Sequence, residues 1–126
     1  MSYYTVYLVK RLGMPRNHHV IFVELSPEDE TGVQYHVTGT VQVGMEFEIR
    51  KEDTGPRESP SFVSMSKLGL IKASDLDRLE SICQSNPPPA KQFDGSHRIG
   101  KTKPLRRCQE WVSETVGLLR AEGVLV

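Results

Sequence analysis

The residue whose type and position point most directly to chemistry is Cys108, near the beginning of the predicted C-terminal helix. Unpaired backbone N–H groups and the helix dipole favour negative charge at such a position, and Arg106 and Arg107 add to that effect. These features predict a lowered thiol pKa and a nucleophilic thiolate. The second cysteine, Cys83, follows Ile82 on an ordinary amphipathic helix pattern and is predicted to be a small buried hydrophobe.

A thiol nucleophile needs a base, and four histidines are available: His18, His19, His36 and His97. His18 and His19 begin a predicted central strand, so their side chains point to opposite faces and only one can face the helix that carries Cys108. If His18 is the base, His36 on the neighbouring strand could bond its second ring nitrogen and fix its tautomer, which gives a Cys-His-His relay. His97 lies in a polar segment and is predicted to be solvated.

Two other interpretations use the same residues. A cysteine on an apolar helix face is more often a buried hydrophobe than a nucleophile, which favours a noncatalytic binding or interaction module. One cysteine and two histidines could also hold zinc with an open fourth position, although the chain has no close-spaced ligand pair of the kind typical of zinc sites. The Cys-His-His relay implies no metal and no organic cofactor.

The elements that must position these residues are a set of strands followed by two helices. The segment 18–25 is apolar on both faces, which predicts a central strand, and the first four strands are predicted to form an antiparallel meander. The predicted strands are 3–9, 18–25, 33–38, 45–51 and 62–71. This order predicts an α+β domain in which an antiparallel sheet of about five strands packs against two helices.

The first helix is predicted to begin after an N-cap at Ser74 and to end before Asn86, because prolines follow. A long surface loop, 87–104, separates it from a second helix that is predicted to begin at Pro104 and to run to about Glu122, before Gly123. The residues predicted to share one face of the second helix are Cys108, Trp111, Val112, Thr115, Leu118 and Leu119.

Length and charge narrow the class of protein. The 126 residues predict one domain, 1–126, and 16 basic against 16 acidic residues argue against nucleic acid as a partner. No apolar run approaches the roughly 20 residues that cross a bilayer, and no secretion signal is evident, so a cytoplasmic protein with two free thiols is predicted. Nothing in the sequence indicates the oligomeric state.

Three short motifs resemble one known family. They are the segment His18 to Val23 (HHVIFV), the segment Tyr35 to Val37 (YHV) and the segment Arg107 to Val112 (RCQEWV). In this order they resemble the lecithin-retinol acyltransferase family, the circularly permuted branch of the papain-like NlpC-type thiol hydrolases. The chain is also similar to a group of small fungal proteins of uncertain function.

The resemblance implies a permuted papain-like domain and a role for each matched residue. Cys108 would be the nucleophile, with its backbone N–H contributing to an oxyanion hole, while His18 would be the general base and His36 the orienting residue. His19 takes the place of an aromatic residue used in packing. The implied activity is that of a hydrolase or acyltransferase acting on an amide, ester or thioester through an acyl-enzyme, with a small-molecule, lipid or peptide acyl substrate. The positions beside the cysteine that depart from the family pattern are Arg107, Gln109 and Glu110.

Overall fold

Five β-rich segments form one antiparallel sheet, as their composition predicts. The computed structural model describes residues 2–13 and 16–126. The elements are β1 (Tyr3–Arg11), β2 (His18–Ser26), β3 (Thr31–Thr40), β4 (Gly44–Glu52), β5 (Phe62–Lys72), α1 (Leu76–Ser85), β6 (Phe93–Asp94), β7 (His97–Arg98) and α2 (Cys108–Ala121), with short 3-10 turns at Pro56–Glu58 and Ala73–Asp75. The predicted α+β class, the five-stranded sheet and the two helices are confirmed.

The sheet has the strand order β4-β3-β2-β1-β5. The first four strands form the predicted meander, and β5 returns to pair with the other side of β1. The central position of β2 agrees with its sequence, because the side chains from Val20 to Val23 are all fully buried. The first residue of the central strand is therefore one of the candidate catalytic residues, His18.

Both helices cover the same face of the sheet. Ile21 and Val23 of β2 lie in one core cluster with Trp111 and Leu119 of α2. The opposite face carries a smaller cluster built on Val9, Val20 and Phe22. Cys83 is fully buried in the larger cluster, and burial raises the pKa of its thiol to about 12, in line with its predicted role as a packing residue.

The first helix begins slightly later than its sequence predicts. A 3-10 turn occupies Ala73–Asp75, so the residue that precedes α1 is Asp75 and not Ser74. The helix ends at Ser85, before the prolines that cannot continue it.

The second helix begins at Cys108, four residues after the predicted start at Pro104. The cause lies in Gln92, whose side chain accepts a hydrogen bond from the Arg106 N–H at 2.8 Å and donates one to the Arg106 carbonyl at 2.7 Å. These bonds satisfy the Arg106 backbone outside the helix, in place of a helical bond from its carbonyl to the Glu110 N–H. Cys108 consequently occupies the first helical position, closer to the N-terminus of the helix than predicted.

The buried face of α2 also differs at one position. Leu118 is 41% exposed, and Val116 is buried in its place. The end of α2 is as predicted, because Gly123 adopts a positive φ of 72° and the Val124 N–H bonds the Leu119 carbonyl at 2.9 Å.

The predicted loop 87–104 contains a short hairpin, β6–β7, and is attached to the sheet. The Met45 N–H donates to the Pro89 carbonyl, and the Gln92 N–H donates to the Val41 carbonyl, both at 2.8 Å. These bonds join the loop to the β3–β4 turn. Within the described ranges, no helix is both long and apolar enough to span a membrane.

Candidate active site

A pocket of about 270 Å³ lies at the end of the sheet where the β1–β2 loop, the β3–β4 turn and the beginning of α2 meet. The turn contributes residues 39–42, and α2 contributes Cys108 and Gln109 together with the preceding Arg107. His18 lines the same pocket. The structure therefore brings the predicted nucleophile and the predicted base to one cavity.

Packing one turn further along α2 holds Cys108 at this position. Trp111 is fully buried, its Nε1 donates to the Asn86 carbonyl at 3.0 Å, and its ring lies 5.7 Å from that of Phe47. At the helix start, Glu110 accepts a hydrogen bond from the Arg107 N–H at 2.7 Å. Trp111 thus anchors the helix, and Glu110 fixes its first turn.

A side-chain contact also links the beginning of α2 to the beginning of β2. Gln109 Nε2 donates a hydrogen bond to the carbonyl of Asn17, the residue that precedes His18. This bond holds the beginning of α2, which carries Cys108, against the beginning of β2, which carries His18.

A chain of hydrogen bonds leads away from the pocket through two histidines to a carboxylate. His18 Nε2 lies 2.9 Å from His36 Nδ1, and His36 Nε2 lies 3.0 Å from Glu48 Oε1. His36 and Glu48 are direct partners in the β3–β4 register, so their side chains share a face of the sheet. His36 is buried, whereas the Glu48 side chain is 47% exposed.

This chain fixes which ring nitrogens carry protons in the neutral histidines. An ionised carboxylate only accepts hydrogen bonds, so the proton between Glu48 and His36 belongs to His36 Nε2. His36 Nδ1 is then an acceptor, and the proton between the two rings belongs to His18 Nε2. The remaining nitrogen, His18 Nδ1, carries a lone pair, as a general base requires.

The two adjacent histidines of β2 occupy different faces. By strand alternation, His19 shares the helix-covered face with Ile21 and Val23, and His18 shares the opposite face with Val20 and Phe22. The prediction that His18, and not His19, faces the helix that carries Cys108 is therefore wrong. The reason is that the pocket opens at the end of the sheet, beyond its two faces.

The predicted lowering of the Cys108 thiol pKa is also wrong. Cys108 is 6% exposed, and burial raises the pKa of its thiol. Hydrogen bonds from the backbone N–H groups of His19 and Gln109 lower that pKa but do not offset the burial, and the Glu110 carboxylate raises it further. The Arg106 guanidinium bonds Glu114 at 2.8 Å and is not available to the thiol.

Burial also disfavours the charged form of the candidate base, His18. The pKa of His18 is lowered to about 4, first by burial and then by the neighbouring charges of His36, Arg11 and His19. In the described part of the chain, no hydrogen bond joins the Cys108 thiol to His18. At neutral pH the pair is therefore a neutral thiol and a neutral imidazole, and not a preformed thiolate–imidazolium pair.

The lowered pKa of His18 predicts a loss of stability in acid. Between pH 6.5 and about 4 the folded ring holds fewer protons than the unfolded ring, so the free energy of unfolding falls as the pH drops through this range. We expect His18 to contribute about 1–2 kcal/mol to that loss, less than the roughly 3 kcal/mol of a fully buried ring, because part of the ring is solvated.

Urea unfolding at pH 7, 6, 5 and 4 measures this contribution. His18→Gln should show a shallower fall in unfolding free energy than the wild type, while His97→Gln, at an exposed histidine, should keep the wild-type slope. Identical pH dependence in His18→Gln and the wild type would contradict the assignment.

Glu48 is the site residue that the sequence analysis missed. The feature that could have identified it is the register of the β3–β4 hairpin. Gly39 and Gly44 adopt the positive φ angles that flank its tight turn. Counting outward from that turn pairs position 36 with position 48. Without a fixed turn, a one-residue change of register would have placed Glu48 on the other face.

The zinc interpretation finds no matching ligand geometry. Across residues 2–13 and 16–126, no group of three histidine, cysteine, aspartate or glutamate side chains is placed to hold a metal ion. His18, His36 and Glu48 form a hydrogen-bonded series instead.

Comparison with known proteins gives one match. No curated protein and no solved structure matches the chain. A protein family described as a family of unknown function (DUF6540) matches residues 6–126. That span includes His18, His36, Glu48 and Cys108, together with nearly all of the fold. The chain belongs to the DUF6540 family, a family of unknown function.

Proposed function

We propose that this protein is a cysteine-dependent hydrolase or acyltransferase that acts on an amide, ester or thioester through an acyl-enzyme. The observation that carries the proposal is the hydrogen-bonded series Glu48–His36–His18, which ends in the pocket that also contains Cys108. A base oriented by further groups beside a nucleophile at a helix start is the general arrangement of nucleophilic acyl transfer.

The first step transfers one proton and forms one bond. As Cys108 Sγ attacks the carbonyl carbon, its proton passes to His18 Nδ1, and the carbonyl oxygen becomes an oxyanion. The positive charge on His18 is stabilised through His36 by the Glu48 carboxylate. When the intermediate collapses, the bond to the leaving group breaks and that group takes the proton from His18, which leaves an acyl group on Cys108.

The second step repeats this sequence with a different nucleophile. Water, or an acyl acceptor, gives its proton to His18 Nδ1 and attacks the carbonyl carbon of the acyl-enzyme. The bond between Cys108 Sγ and the acyl group then breaks, and Cys108 leaves as a thiol with the proton from His18. Backbone N–H groups at the beginning of α2, including that of Cys108, have no carbonyl acceptor within the helix and are suited to stabilising the oxyanion in both steps.

The fold proposal follows from the same residues. The order of a histidine strand, a second histidine strand and a cysteine helix resembles the circularly permuted papain-like arrangement, and we propose that arrangement for the single domain 1–126. The proposed substrates are small-molecule, lipid or peptide acyl compounds, and the proposed compartment is the cytoplasm.

Hydrolysis of a panel of short activated acyl esters and thioesters tests the function. We expect the wild-type protein to cleave at least one of them, at a rate that is constant around neutral pH and falls as His18 becomes protonated near pH 4. A wild-type protein that cleaves none of the panel, and takes up no acyl group from it, would contradict the proposal.

Glu48 provides a sharper test, as a positioning residue that acts through His36. Glu48→Gln keeps an acceptor for His36 Nε2 but removes the negative charge that stabilises the protonated His18. We expect kcat to fall by about 10-fold with KM unchanged, a smaller effect than losing a directly bonded triad carboxylate, because Glu48 is one histidine further from the base.

The matched control for this variant is Glu46→Gln, which removes the same charge from an exposed position on the same strand face. Glu46→Gln should retain wild-type kcat and the wild-type pH profile. Equal effects of the two substitutions would show that only the net charge of β4 matters.

A noncatalytic binding module is the second candidate, and the state of the cysteine favours it. Cys108 is nearly buried, the pKa of its thiol is raised, and it makes no hydrogen bond to His18 in the described residues. On this interpretation the pocket binds a ligand without turnover. No cleavage of the panel by the wild-type protein, together with a Cys108 thiol that does not react with iodoacetamide, would favour this candidate over the enzyme.

A further inference from the structure

A cavity larger than the candidate active site lies elsewhere in the described part of the protein. Its volume is about 620 Å³, and it is formed almost entirely by the segment between α1 and α2. A volume of this size is within the usual range for sites that bind small organic molecules. Neither Cys108 nor His18 lines it.

The walls of this cavity are largely apolar. Pro87, Pro88, Pro104 and Leu105 contribute to them, together with Ile99, which is 63% exposed. An isoleucine this exposed at the edge of a cavity offers apolar surface that a ligand could remove from water.

The charged residues of the cavity are all basic. They are Lys91, Arg98, Lys103 and Arg106, and no aspartate or glutamate is among the lining residues. This contrasts with the chain as a whole, whose 16 basic and 16 acidic residues balance. The cavity therefore has a local positive charge that the composition does not predict.

Three of the four basic side chains have no carboxylate partner in the described residues. Arg106 pairs with Glu114, but no salt bridge involves Lys91, Arg98 or Lys103 there. The Arg98 Nε is buried and has no hydrogen-bond partner in the described chain. This atom has no accessible surface, so an anion in the cavity would bond the Nη atoms of Arg98 and the exposed ammonium groups of Lys91 and Lys103.

The cavity is formed in advance by bonds within the protein. Gln92 makes two hydrogen bonds to the backbone of Arg106, the Ile99 N–H donates to the Gln92 carbonyl at 2.9 Å, and Arg98 Nη2 donates to the Lys103 carbonyl. These contacts connect both ends of the segment across the cavity. A ligand would not have to order the walls, which reduces the entropic cost of binding.

We propose that this cavity, the basic cavity, binds a small amphipathic anion: an apolar chain or ring that carries a carboxylate or a phosphate ester. The apolar part contacts Ile99, Leu105 and the prolines, and the anionic group bonds Arg98 and one or both lysines. The site is separate from the pocket of Cys108, although the adjacent residues Arg106 and Arg107 line one cavity each.

Calorimetric titration with four ten-carbon probes tests the proposal, each probe being used below its micelle concentration. We expect decanoate and decyl phosphate to bind, and their relative affinities to show which anionic group is preferred. Decanol should bind at least about 10-fold more weakly than the better anion, and decyltrimethylammonium should not bind. Equal binding of the anions and the cation, or no binding of either anion, would overturn the proposal.

Charge-removing variants locate the bound anion. Lys91→Met and Lys103→Met remove exposed lysines, and at least one of them should weaken anion binding by about 5-fold. Lys67→Met is the matched control, because Lys67 is an exposed lysine on β5 at the opposite edge of the sheet. Arg107→Met should keep wild-type affinity. Loss of binding in Arg107→Met, with no loss in the lysine variants, would assign the anion to the Cys108 pocket and overturn the proposal.

Discussion

Replacing Cys108 by alanine is expected to lower kcat by about 10⁴-fold or more, because it removes the atom that forms the covalent bond. The substitution deletes one sulfur atom from a nearly buried position, so the free energy of unfolding should fall by only about 1 kcal/mol. The measurement is the hydrolysis rate on the best substrate of the ester and thioester panel, with circular dichroism as the control for folding.

Cys83→Ala is the matched control for this prediction. Cys83 is fully buried beneath the sheet and lines neither cavity, so its substitution should reduce stability at least as much as that of Cys108 while leaving turnover unchanged. If Cys108→Ala cleaves the same esters at wild-type rates, the cysteine is structural.

Replacing Trp111 by alanine is expected to cause the largest loss of stability, about 3–5 kcal/mol. The indole is fully buried, contacts Phe47 of β4 and donates a hydrogen bond to the Asn86 carbonyl after α1. The substitution leaves a cavity between the sheet and both helices and leaves a buried carbonyl without its donor.

Urea unfolding of three variants separates these contributions. Trp111→Phe retains most of the apolar contact but loses the hydrogen bond, so it should cost about 1–3 kcal/mol, less than Trp111→Ala. Leu118→Ala, on the exposed side of the same helix, should cost less than about 1 kcal/mol. A cost for Trp111→Ala no larger than that for Leu118→Ala would contradict the role of Trp111 as the anchor of α2.

The parts of the fold that could be predicted from the sequence have strong local patterns. The central position of β2 was predictable because the residues from Val20 to Val23 are apolar on both faces of the strand. Such a run is typical of a strand that has a neighbour on each side and whose two faces are both covered. The end of α1 was predictable from the prolines, and the end of α2 from Gly123, because each acts through its own backbone.

The features that could not be predicted depend on contacts between distant residues. The start of α2 is determined by Gln92, 16 positions before Cys108, and the role of Glu48 depends on the exact β3–β4 register. The pKa of Cys108 was predicted in the wrong direction, because the position in the helix is visible in the sequence while the burial of the thiol is not. Local pattern identified His18, His36 and Cys108 as candidates but not the neutral state of the pair.

The central claim is that Cys108 forms a covalent acyl intermediate, and mass spectrometry of the intact protein after brief mixing with an activated ester tests it most directly. We expect one added acyl group, located on Cys108 by peptide mapping, that disappears with time as it is hydrolysed. The adduct should be absent from Cys108→Ala, present in Cys83→Ala, and slow to form in His18→Ala. Turnover of the ester with acylation of another residue, or equal labelling of Cys108→Ala and the wild type, would contradict the claim.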